Sequence, residues 1–286
     1  MQLSIIIINF NTFQLTCNCI RSIKEKVTDV EYEVVLVDNA SVEKDPKEFK
    51  NIFPEIVLVE SAINTGFTGG NNLGIQHSTG DFILLLNSDT ELINNAPGIC
   101  YHYMLKHPEV GMTTAQLVYP DGRIQHNTRR FRTIKWELLE ILPLFRLLPK
   151  KKKENLMLHH YFDHQRFVEA DWVWGAFMMF PRKILHQLKD HKLSGDFFMY
   201  CEDVLWSWEF KQLGYKIHFL PEAKVMHVHK GSVSKDKWMQ VRKTSIKNHA
   251  AFMKKFYPDW RWYVFAAIFY TKQYGALWIN SLFKKK

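Results

Sequence analysis

Acidic side chains stand directly after two apolar segments that have the character of buried strands. Asp38 ends "VVLVD", and Asn87 and Asp89 follow "FILLL" as an Asn-x-Asp pair. In open α/β sheets ligands bind at the carboxyl ends of the strands, where a carboxylate can accept hydrogen bonds from a base or a ribose. Oxygen ligands at i and i+2 can also share a divalent cation. The residues predict nucleotide and metal chemistry, with turn or capping roles as the alternative.

A second group of polar residues lies far along the chain. Glu202 and Asp203 begin a predicted helix, and His227 and His229 are two residues apart, on one face of a predicted strand. A carboxylate can act as a general base toward an attacking hydroxyl. The helix macrodipole would explain the acidic pair without catalysis, and a strand histidine is more often structural.

The first 90 residues alternate short apolar segments with helical patterns, which is typical of a mainly parallel sheet. The glycine-rich stretch "NTGFTGGNNLG" lacks the Lys-Ser/Thr end of a P-loop and leads into a helix instead. We expect strands at 3–8, 33–37, 56–59 and 82–86, and helices at 12–26 and 69–77.

The second half is predicted to be mixed. We expect strands at 113–119, 172–180, 216–220 and 224–229, an amphipathic helix at 202–213, and helices from 235 onward with a break near Pro258. Residues 129–168 are the least readable, and "WELLEILPLFRLLPKKKKEN" fits an amphipathic flap or a mobile loop.

Six motifs in this order resemble the family 2 glycosyltransferases, most closely the rhamnosyltransferase-like bacterial members that build surface polysaccharides. The motifs are "SIIIINFN", "EVVLVDNAS", "NTGFTGGNNLGI", "DFILLLNSDT", "DWVWGAFMMF" and "FFMYCEDVLWSWEFKQLGYKIHFLPEAKVMHVHKGS". The resemblance covers about residues 3–255. It implies an α/β protein with the GT-A fold, a Rossmann-like mixed sheet flanked by helices, here with a helical C-terminal extension. It also implies a nucleotide-sugar-binding half at 1–90, an acceptor-binding and catalytic half at 91–234, and an extension at 235–286.

Site residues follow from the same resemblance. Glu202 and Asp203 match the catalytic "ED" pair, with Asp203 as the general base. Asp89 matches the metal-binding acid of the family's DxD motif, whose first Asp is here Asn87; His227, or as second choice His229, matches a further metal or diphosphate contact. Donor-binding roles are implied for Asn9, Asn11, Asp38, Asn39, Asn64, Gly69, Gly70, Asn71, Asn87, Gly175 and Ala176.

The function implied is an inverting transfer that depends on Mn²⁺ or Mg²⁺. The sugar would move from a nucleotide-diphosphate donor, UDP- or dTDP-linked, to a hydroxyl of a glycan or lipid-linked glycan during cell-surface polysaccharide synthesis. Trp206, Trp208 and Trp238 are candidates for a sugar-stacking surface, with core packing the expected role of at least one.

The sequence lacks the motifs that several competing functions would require. A sugar-nucleotide pyrophosphorylase needs a Gly-rich, Arg-containing loop after the first strand, and a dinucleotide dehydrogenase needs G-x-G-x-x-G there; "NFNTFQLT" has neither. A nucleic-acid binder would interleave basic and aromatic residues on one platform. A catalytically inactive carbohydrate-binding or scaffold protein of the same fold stays open.

The distribution of charge and the spacing of the cysteines indicate where in the cell the chain acts. The net charge is +9, and lysine clusters at 150–153 and 284–286 each follow an apolar aromatic segment. They favour peripheral contact with the inner face of the plasma membrane through 139–153 and 260–286; ordinary packing with solubilising lysines is the alternative. The four cysteines have no CxxC or metal spacing, which indicates a reduced, cytoplasmic chain.

Overall fold

The computed structural model describes residues 1–142, 144–228 and 238–283 of the chain. The chain divides into two compact units, Met1–Arg129 with Asp163–Val233, and Arg130–Phe162 with Ser234–Lys286. The predicted division into donor half, acceptor half and extension is a functional one, and it stays a prediction.

Strands and helices alternate through the first unit, and helices make up most of the second. The strands are β1 (Leu3–Asn9), β2 (Tyr32–Asp38), β3 (Val57–Glu60), β4 (Phe82–Asn87), β5 (Thr90–Leu92), β6 (Val110–Val118), β7 (Ile124–Gln125), β8 (Thr128–Arg129), β9 (Val168–Ala170), β10 (Trp172–Val173), β11 (Phe177–Pro181) and β12 (Lys216–His227). The α-helices are α1 (Phe13–Lys26), α2 (Lys47–Ile52), α3 (Gly66–Gln76), α4 (Ala96–Lys106), α5 (Ile134–Ile141), α6 (Leu144–Leu147), α7 (Lys150–Met157), α8 (Glu202–Gln212), α9 (Trp238–Phe256) and α10 (Arg261–Phe283). Short 3-10 helices lie at His159–Tyr161, Arg182–Gln187 and Lys189–His191.

The main sheet has the strand order β3-β2-β1-β4-β11-β6-β12-β5, with β7 added to β6 and β9 to β12. β3, β2, β1 and β4 run parallel, as do β6 and β12, whereas β11 is antiparallel to both its neighbours. In register, Asn9 of β1 stands beside Asp38 of β2, and Ile8 stands beside Asn87 of β4. The polar ends of three strands therefore meet at one edge.

Glycines let α3 lie directly on the sheet. A Cβ atom on Gly74 would lie 2.5 Å from Cγ2 of Ile6, and one on Gly70 would lie 2.9 Å from Cδ1 of Ile8. Real Cβ contacts are not that short, so the helix could not approach β1 this closely with alanine at these positions. The helix begins at Gly66, three residues before the predicted start.

Two predictions about the second half are corrected. The predicted pair of strands around Pro221 is one strand, β12, whose register against β6 shifts between Leu220 and Lys224; such an irregularity accommodates a proline within a sheet. The predicted strand at 172–180 is two strands, β10 and β11, because the chain changes sheets around Gly175: β10 pairs with β8, and β11 enters the main sheet.

The stretch 136–155, predicted as an amphipathic flap or a mobile loop, lies in three short helices of the second unit, α5, α6 and α7. Trp136, Phe145 and Met157 are the buried residues of a small core there. Glu137 of α5 is fully buried and accepts hydrogen bonds from Arg132 and from Lys272 of α10. None of the helices within the described residues is long and apolar enough to cross a membrane.

All four cysteines, Cys17, Cys19, Cys100 and Cys201, are buried and unpaired by disulfides. Burial raises the pKa of the Cys19 and Cys100 thiols to about 12. These thiols are therefore small apolar side chains of the core rather than nucleophiles.

Candidate active site

A buried amide–carboxylate contact lies where β1 and β2 end. Asn9 donates from Nδ2 to Asp38 Oδ2 at 2.7 Å and to Ser41 Oγ at 2.9 Å, and the Ser41 backbone N–H donates to Asp38 Oδ1 at 2.9 Å. Asn9 and Asp38 are each 2% exposed. These contacts orient the carboxylate at the edge of the sheet where the sequence predicts a nucleotide.

Asn39 joins the loop after β2 to the start of α3. Its side-chain oxygen accepts a hydrogen bond from the Thr65 backbone N–H at 2.9 Å, and its amide donates to Asn64 Oδ1 and to the Gly66 carbonyl, each at 3.1 Å. Asn64 in turn accepts from the Gly66 N–H at 2.9 Å. Asn39 and Asn64, both predicted to contact the donor, are thus brought together.

Other predicted donor residues make internal contacts. Asn11 accepts hydrogen bonds from the backbone N–H groups of Val42 and Glu43, so it fixes the loop after β2. Within α3, buried Asn71 donates to the Phe67 carbonyl, and Gly69 stands against Thr65 of the preceding turn. Their donor-binding roles, like that of Gly70, stay predictions.

Asp89 and His227, predicted as metal ligands, are adjacent. Asp89 Oδ1 lies 3.2 Å from His227 Nε2. Gln125 donates from Nε2 to the His227 carbonyl at 2.6 Å, so its amide oxygen faces His227 Nδ1, 2.7 Å away. Since an amide oxygen only accepts, Nδ1 carries a proton and Nε2 is the nitrogen directed at Asp89.

This pair fits two neighbouring positions around a small divalent cation. Ligands at about 2.1 Å and a right angle lie ~3 Å apart, close to the observed separation. A histidine that ligates a metal generally donates its other N–H to an oxygen, as His227 does to Gln125. Without a cation, protonated His227 would form an ion pair with Asp89. Among the described residues no group of three His, Cys, Asp or Glu side chains could hold a metal. His229 lies outside the described residues.

A chain of contacts connects this edge of the sheet with the start of α8. Thr12 and Ser88 hydroxyl oxygens lie 3.0 Å apart, and the Asn87 N–H donates to the Ala176 carbonyl at 3.1 Å. The neighbouring Gly175 N–H points at Asp203 Oδ2 at 3.4 Å. Predicted residues from both halves of the sequence are therefore grouped in the first unit.

The backbone immediately before Glu202 and Asp203 is strained. Tyr200 and Cys201 have φ angles of 69° and 90°, in the left-handed region that non-glycine residues rarely occupy. Strain of this kind persists where the surrounding structure enforces it, and it concentrates at functional sites. Here it sets the direction in which α8 starts and thus the position of both carboxyl groups.

The two carboxyl groups differ in their environment. Burial raises the pKa of Glu202, and the charge of Asp203 raises it further. Burial also raises the pKa of Asp203, but the Val204 and Gly175 N–H groups and the charge of Arg129 oppose that rise. Glu202 has only its own backbone N–H to stabilise its anion, whereas Asp203 has the Val204 and Gly175 N–H groups and the charge of Arg129, so Asp203 loses its proton first. At neutral pH the pair combines an ionised Asp203 with a protonated Glu202.

Arg129 was not identified from the sequence. Its guanidinium lies over the rings of Trp172 and Trp174, 5.3 Å and 5.5 Å from their centroids, and β8 pairs Arg129 with Trp172. Gln125, Asn127 and Arg129 recur at every second position of "QHNTR", the spacing of one face of a strand, but this spacing does not reveal which strand they pair with.

Trp206, predicted as a sugar-stacking candidate, is a core residue. It is 1% exposed, its indole N–H donates to the Ser194 carbonyl at 3.0 Å, and its ring stacks with Phe67. This confirms core packing for one of the three tryptophans and removes Trp206 from the acceptor surface. Trp208 is half-buried, and the side chain of Trp238 lies outside the described part.

Comparison with known proteins gives the same fold. The chain resembles a mannosyltransferase, PcManGT of Pyrobaculum calidifontis, in complex with GDP-Man and Mn²⁺, with a TM-score of 0.60 and 16% identity over 96% of this chain and 69% of that one. A structure of GalNAc-T7 with UDP, GalNAc and Mn²⁺ also has a TM-score of 0.60, with 17% identity over 87% of this chain and 50% of that one. These likenesses confirm the predicted GT-A fold.

Sequence comparison identifies the family. The low-salt glycan biosynthesis hexosyltransferase Agl10 of Haloferax volcanii is 26% identical over 71% of this chain and 59% of its own length. The chain spans between 11% and 59% of the curated relatives that it matches. The model of glycosyl transferase family 2 matches residues 4–189, well over half of the sequence. The chain belongs to glycosyl transferase family 2.

Proposed function

We propose that the chain is an inverting, metal-dependent glycosyltransferase that moves a sugar from a nucleotide-diphosphate donor to a glycan or lipid-linked glycan hydroxyl. The observation that carries the proposal is the Glu202–Asp203 pair. One acid is ionised and the other protonated at neutral pH, and Gly175 links Asp203 to the strand ends that carry Asp38 and Asp89.

Asp203 would take the proton of the acceptor hydroxyl as its oxygen attacks the anomeric carbon. A base whose pKa lies near the working pH is efficient because it is ionised yet still basic. Direct attack from the face opposite the leaving group inverts the anomeric centre, and it needs no second carboxylate as nucleophile. Glu202, protonated beside Asp203, keeps a second negative charge away from the reacting groups.

Asp89 and His227 would hold a divalent cation, Mn²⁺ or Mg²⁺. A bound cation would stabilise the negative charge of the departing nucleoside diphosphate. The proposal is supported by the 3.2 Å contact between the two side chains, by the Nδ1 tautomer of His227, and by Mn²⁺ in the two similar structures. Asn9, Asp38, Asn39 and Asn64 would form the nucleotide side of the site.

The donor and the pathway are proposed from the sequence motifs, and the location is proposed from the lysine clusters that follow apolar aromatic segments. A UDP- or dTDP-sugar, a rhamnosyltransferase-like specificity and a role in cell-surface polysaccharide synthesis all rest on the family resemblance. Peripheral contact with the inner face of the plasma membrane through 139–153 and 260–286 is supported by exposed apolar side chains at Ile141, Leu142, Leu147, Trp260 and Tyr263.

The first test replaces Asp203 by asparagine. Asp203→Asn keeps the shape but removes the base, so transfer should fall by about 10²–10⁴-fold. Donor binding, measured by thermal shift over a panel of UDP-, dTDP- and GDP-sugars with Mn²⁺, should persist. Asp196→Asn, an exposed acid in the preceding loop, is the matched control. Full turnover by Asp203→Asn would refute the assigned base, and donor binding without transfer by the native chain would indicate a binding protein.

The second test concerns the cation. EDTA should abolish transfer, and Mn²⁺ or Mg²⁺ should restore it. Gln125→Leu removes the acceptor that fixes the His227 tautomer, and loss of such a partner typically lowers metal affinity about 10–100-fold. Mn²⁺ affinity, measured by electron paramagnetic resonance without substrate, reports this directly. Unchanged affinity in Gln125→Leu and in His227→Ala would exclude the proposed ligand pair.

A further inference from the structure

One face of α10 leaves large aromatic side chains exposed. Trp260, just before the helix, and Tyr263, Val264 and Tyr274 within it are 71%, 73%, 37% and 47% exposed. They recur at the three- and four-residue spacing of a single helix face, continued by exposed Ala267 and Thr271. A contiguous exposed face with several large aromatic side chains is unusual on a solvated helix.

The opposite face of α10 is already packed. Phe265 and Phe269 are buried, with ring centroids 5.2 Å apart, and Gln273 accepts a hydrogen bond from Arg242 of α9. The exposed aromatic residues are therefore not the core-forming side of the helix. Trp and Tyr are the side chains that typically lie at the boundary between lipid headgroups and acyl chains.

The charge of both helices has one sign. From 238 to 283 the sequence holds seven lysine and arginine residues and one acid, Asp259. Asp259 is paired with Arg261, and Lys272 is paired with Glu137 and Glu140. No acid lies within either helix. This composition would attract an anionic surface.

A pocket of about 460 Å³ joins the basic and aromatic features. It is lined by Lys243, Thr244 and Lys247 of α9 and by Tyr270 and Tyr274 of α10. Two ammonium groups, one turn apart, and three hydroxyl groups are donors suited to phosphate oxygens. The stacked rings of Tyr270 and Tyr274, 5.9 Å apart, form an apolar wall, and Tyr274 also belongs to the exposed face.

We propose that this pocket binds the phosphate of an anionic lipid headgroup while the exposed aromatic face of α10 enters the lipid interface. The phosphate would accept hydrogen bonds from the two lysines, and Trp260, Tyr263 and Val264 would bury apolar surface beside it. This deepens the membrane contact proposed above by naming a specific headgroup site, and it does not depend on sugar transfer.

The test is cosedimentation of the full chain with phosphatidylcholine vesicles that contain or lack phosphatidylglycerol. The native chain should bind the anionic vesicles far more tightly than the neutral ones. Lys243→Gln/Lys247→Gln should lower that partition coefficient by about tenfold or more, since each lysine near such a surface contributes about 1 kcal/mol. Tyr263→Ser should weaken binding to the anionic vesicles as well.

Lys183→Gln/Lys189→Gln, two exposed lysines of the first unit, makes the same change in net charge and should leave binding intact. Equal losses in both double variants would overturn the site in favour of diffuse attraction. Equal binding to neutral vesicles would overturn it too. Displacement by millimolar inorganic phosphate would identify a soluble phosphate ligand instead. Donor hydrolysis without vesicles should be unchanged in Lys243→Gln/Lys247→Gln, so failure here is distinct from failure of the glycosyltransferase proposal.

Discussion

Asp203 combines burial with a set of groups that stabilise its charge. Its Oδ1 accepts a 2.9 Å hydrogen bond from the Val204 N–H, and Arg129, whose guanidinium lies over the rings of Trp172 and Trp174, contributes positive charge. Burial nevertheless prevails and raises its pKa to about 6. A carboxylate with this pKa is a stronger base than an exposed aspartate, while remaining mostly ionised at neutral pH.

We expect activity to depend on pH through Asp203. The base works only when ionised, so kcat/KM should be lost as the pH falls through about 6, well above the usual range of an aspartate. Arg129→Met removes a charge that lowers this pKa, so the acid limb should move to higher pH. Arg129→Lys should largely restore it. The pH profile of transfer measures the acid limb of both variants, with exposed Arg123→Met as control. An unshifted acid limb in Arg129→Met would show that Arg129 does not lower the pKa of the base.

Ionisation of Glu202 and Asp203 also affects the stability of the folded chain. A carboxyl whose pKa is raised by folding destabilises the native state as the pH rises above its unfolded value. Glu202 has such a raised pKa, and its Oε2 is buried without a hydrogen-bond partner among the described residues. The proposed catalytic pair therefore lowers the stability of the folded chain as the pH rises, which is the kind of cost that functional sites carry.

At the scale of elements, α3 depends on glycine for its distance from the sheet. The sequence makes the stretch resemble a ligand-binding loop, yet Gly70 and Gly74 both face side chains of β1. Close backbone approach explains these two residues whether or not a nucleotide lies nearby.

Two glycine-to-alanine variants should have opposite effects. In Gly74→Ala the new Cβ would lie 2.5 Å from Ile6 and 3.1 Å from Val37, and overpacking of this kind costs about 1–3 kcal/mol. Gly275→Ala in α10 meets nothing within 4 Å and should stabilise its helix by about 0.5–1 kcal/mol. Urea unfolding measures both. A neutral Gly74→Ala would mean that α3 shifts freely on the sheet.

Elements with a clear local pattern are predictable from the sequence, and elements defined by distant contacts are not. β1, β2 and β4 follow from continuous apolar segments that end in polar residues. β8 and β10 are two residues each and exist only because Arg129 pairs with Trp172 across 42 intervening residues. The sequence predicts Asp38, Asp89 and Asp203 as site residues because they stand at strand ends and at the start of a helix. Gln125 and Arg129 lie on short strands whose partners no local pattern reveals.

At the scale of the whole molecule, residues 130–162 belong with the C-terminal helices rather than with the sheet that precedes them. An ion cluster accounts for part of this grouping. Arg132 and Lys272 both contact Glu137, which is fully buried, and both contact Glu140. Sequence periodicity could not show it, because the acids and Lys272 are more than 130 residues apart.

Removal of one cation should weaken the second unit. Lys272→Met leaves Glu137 with Arg132 alone, and breaking a buried ion pair typically costs about 3–5 kcal/mol. Hydrogen exchange should show lost protection in 134–157, with the strands of the first unit unaffected. Exposed Lys254→Met on α9 is the control. Equal hydrogen-exchange protection in Lys272→Met and in the control would show that the ion cluster contributes little to stability.

The burial of all four cysteines makes the native chain a ready background for site-specific labelling. With the Cys19 and Cys100 pKa values near 12, almost no thiolate is present at neutral pH, and the pKa of buried Cys201 is raised as well. Maleimide reagents attack thiolates, so a single engineered cysteine should be modified selectively. A fluorophore at Tyr263→Cys could then report polarity changes around α10 without altering any original sulfur.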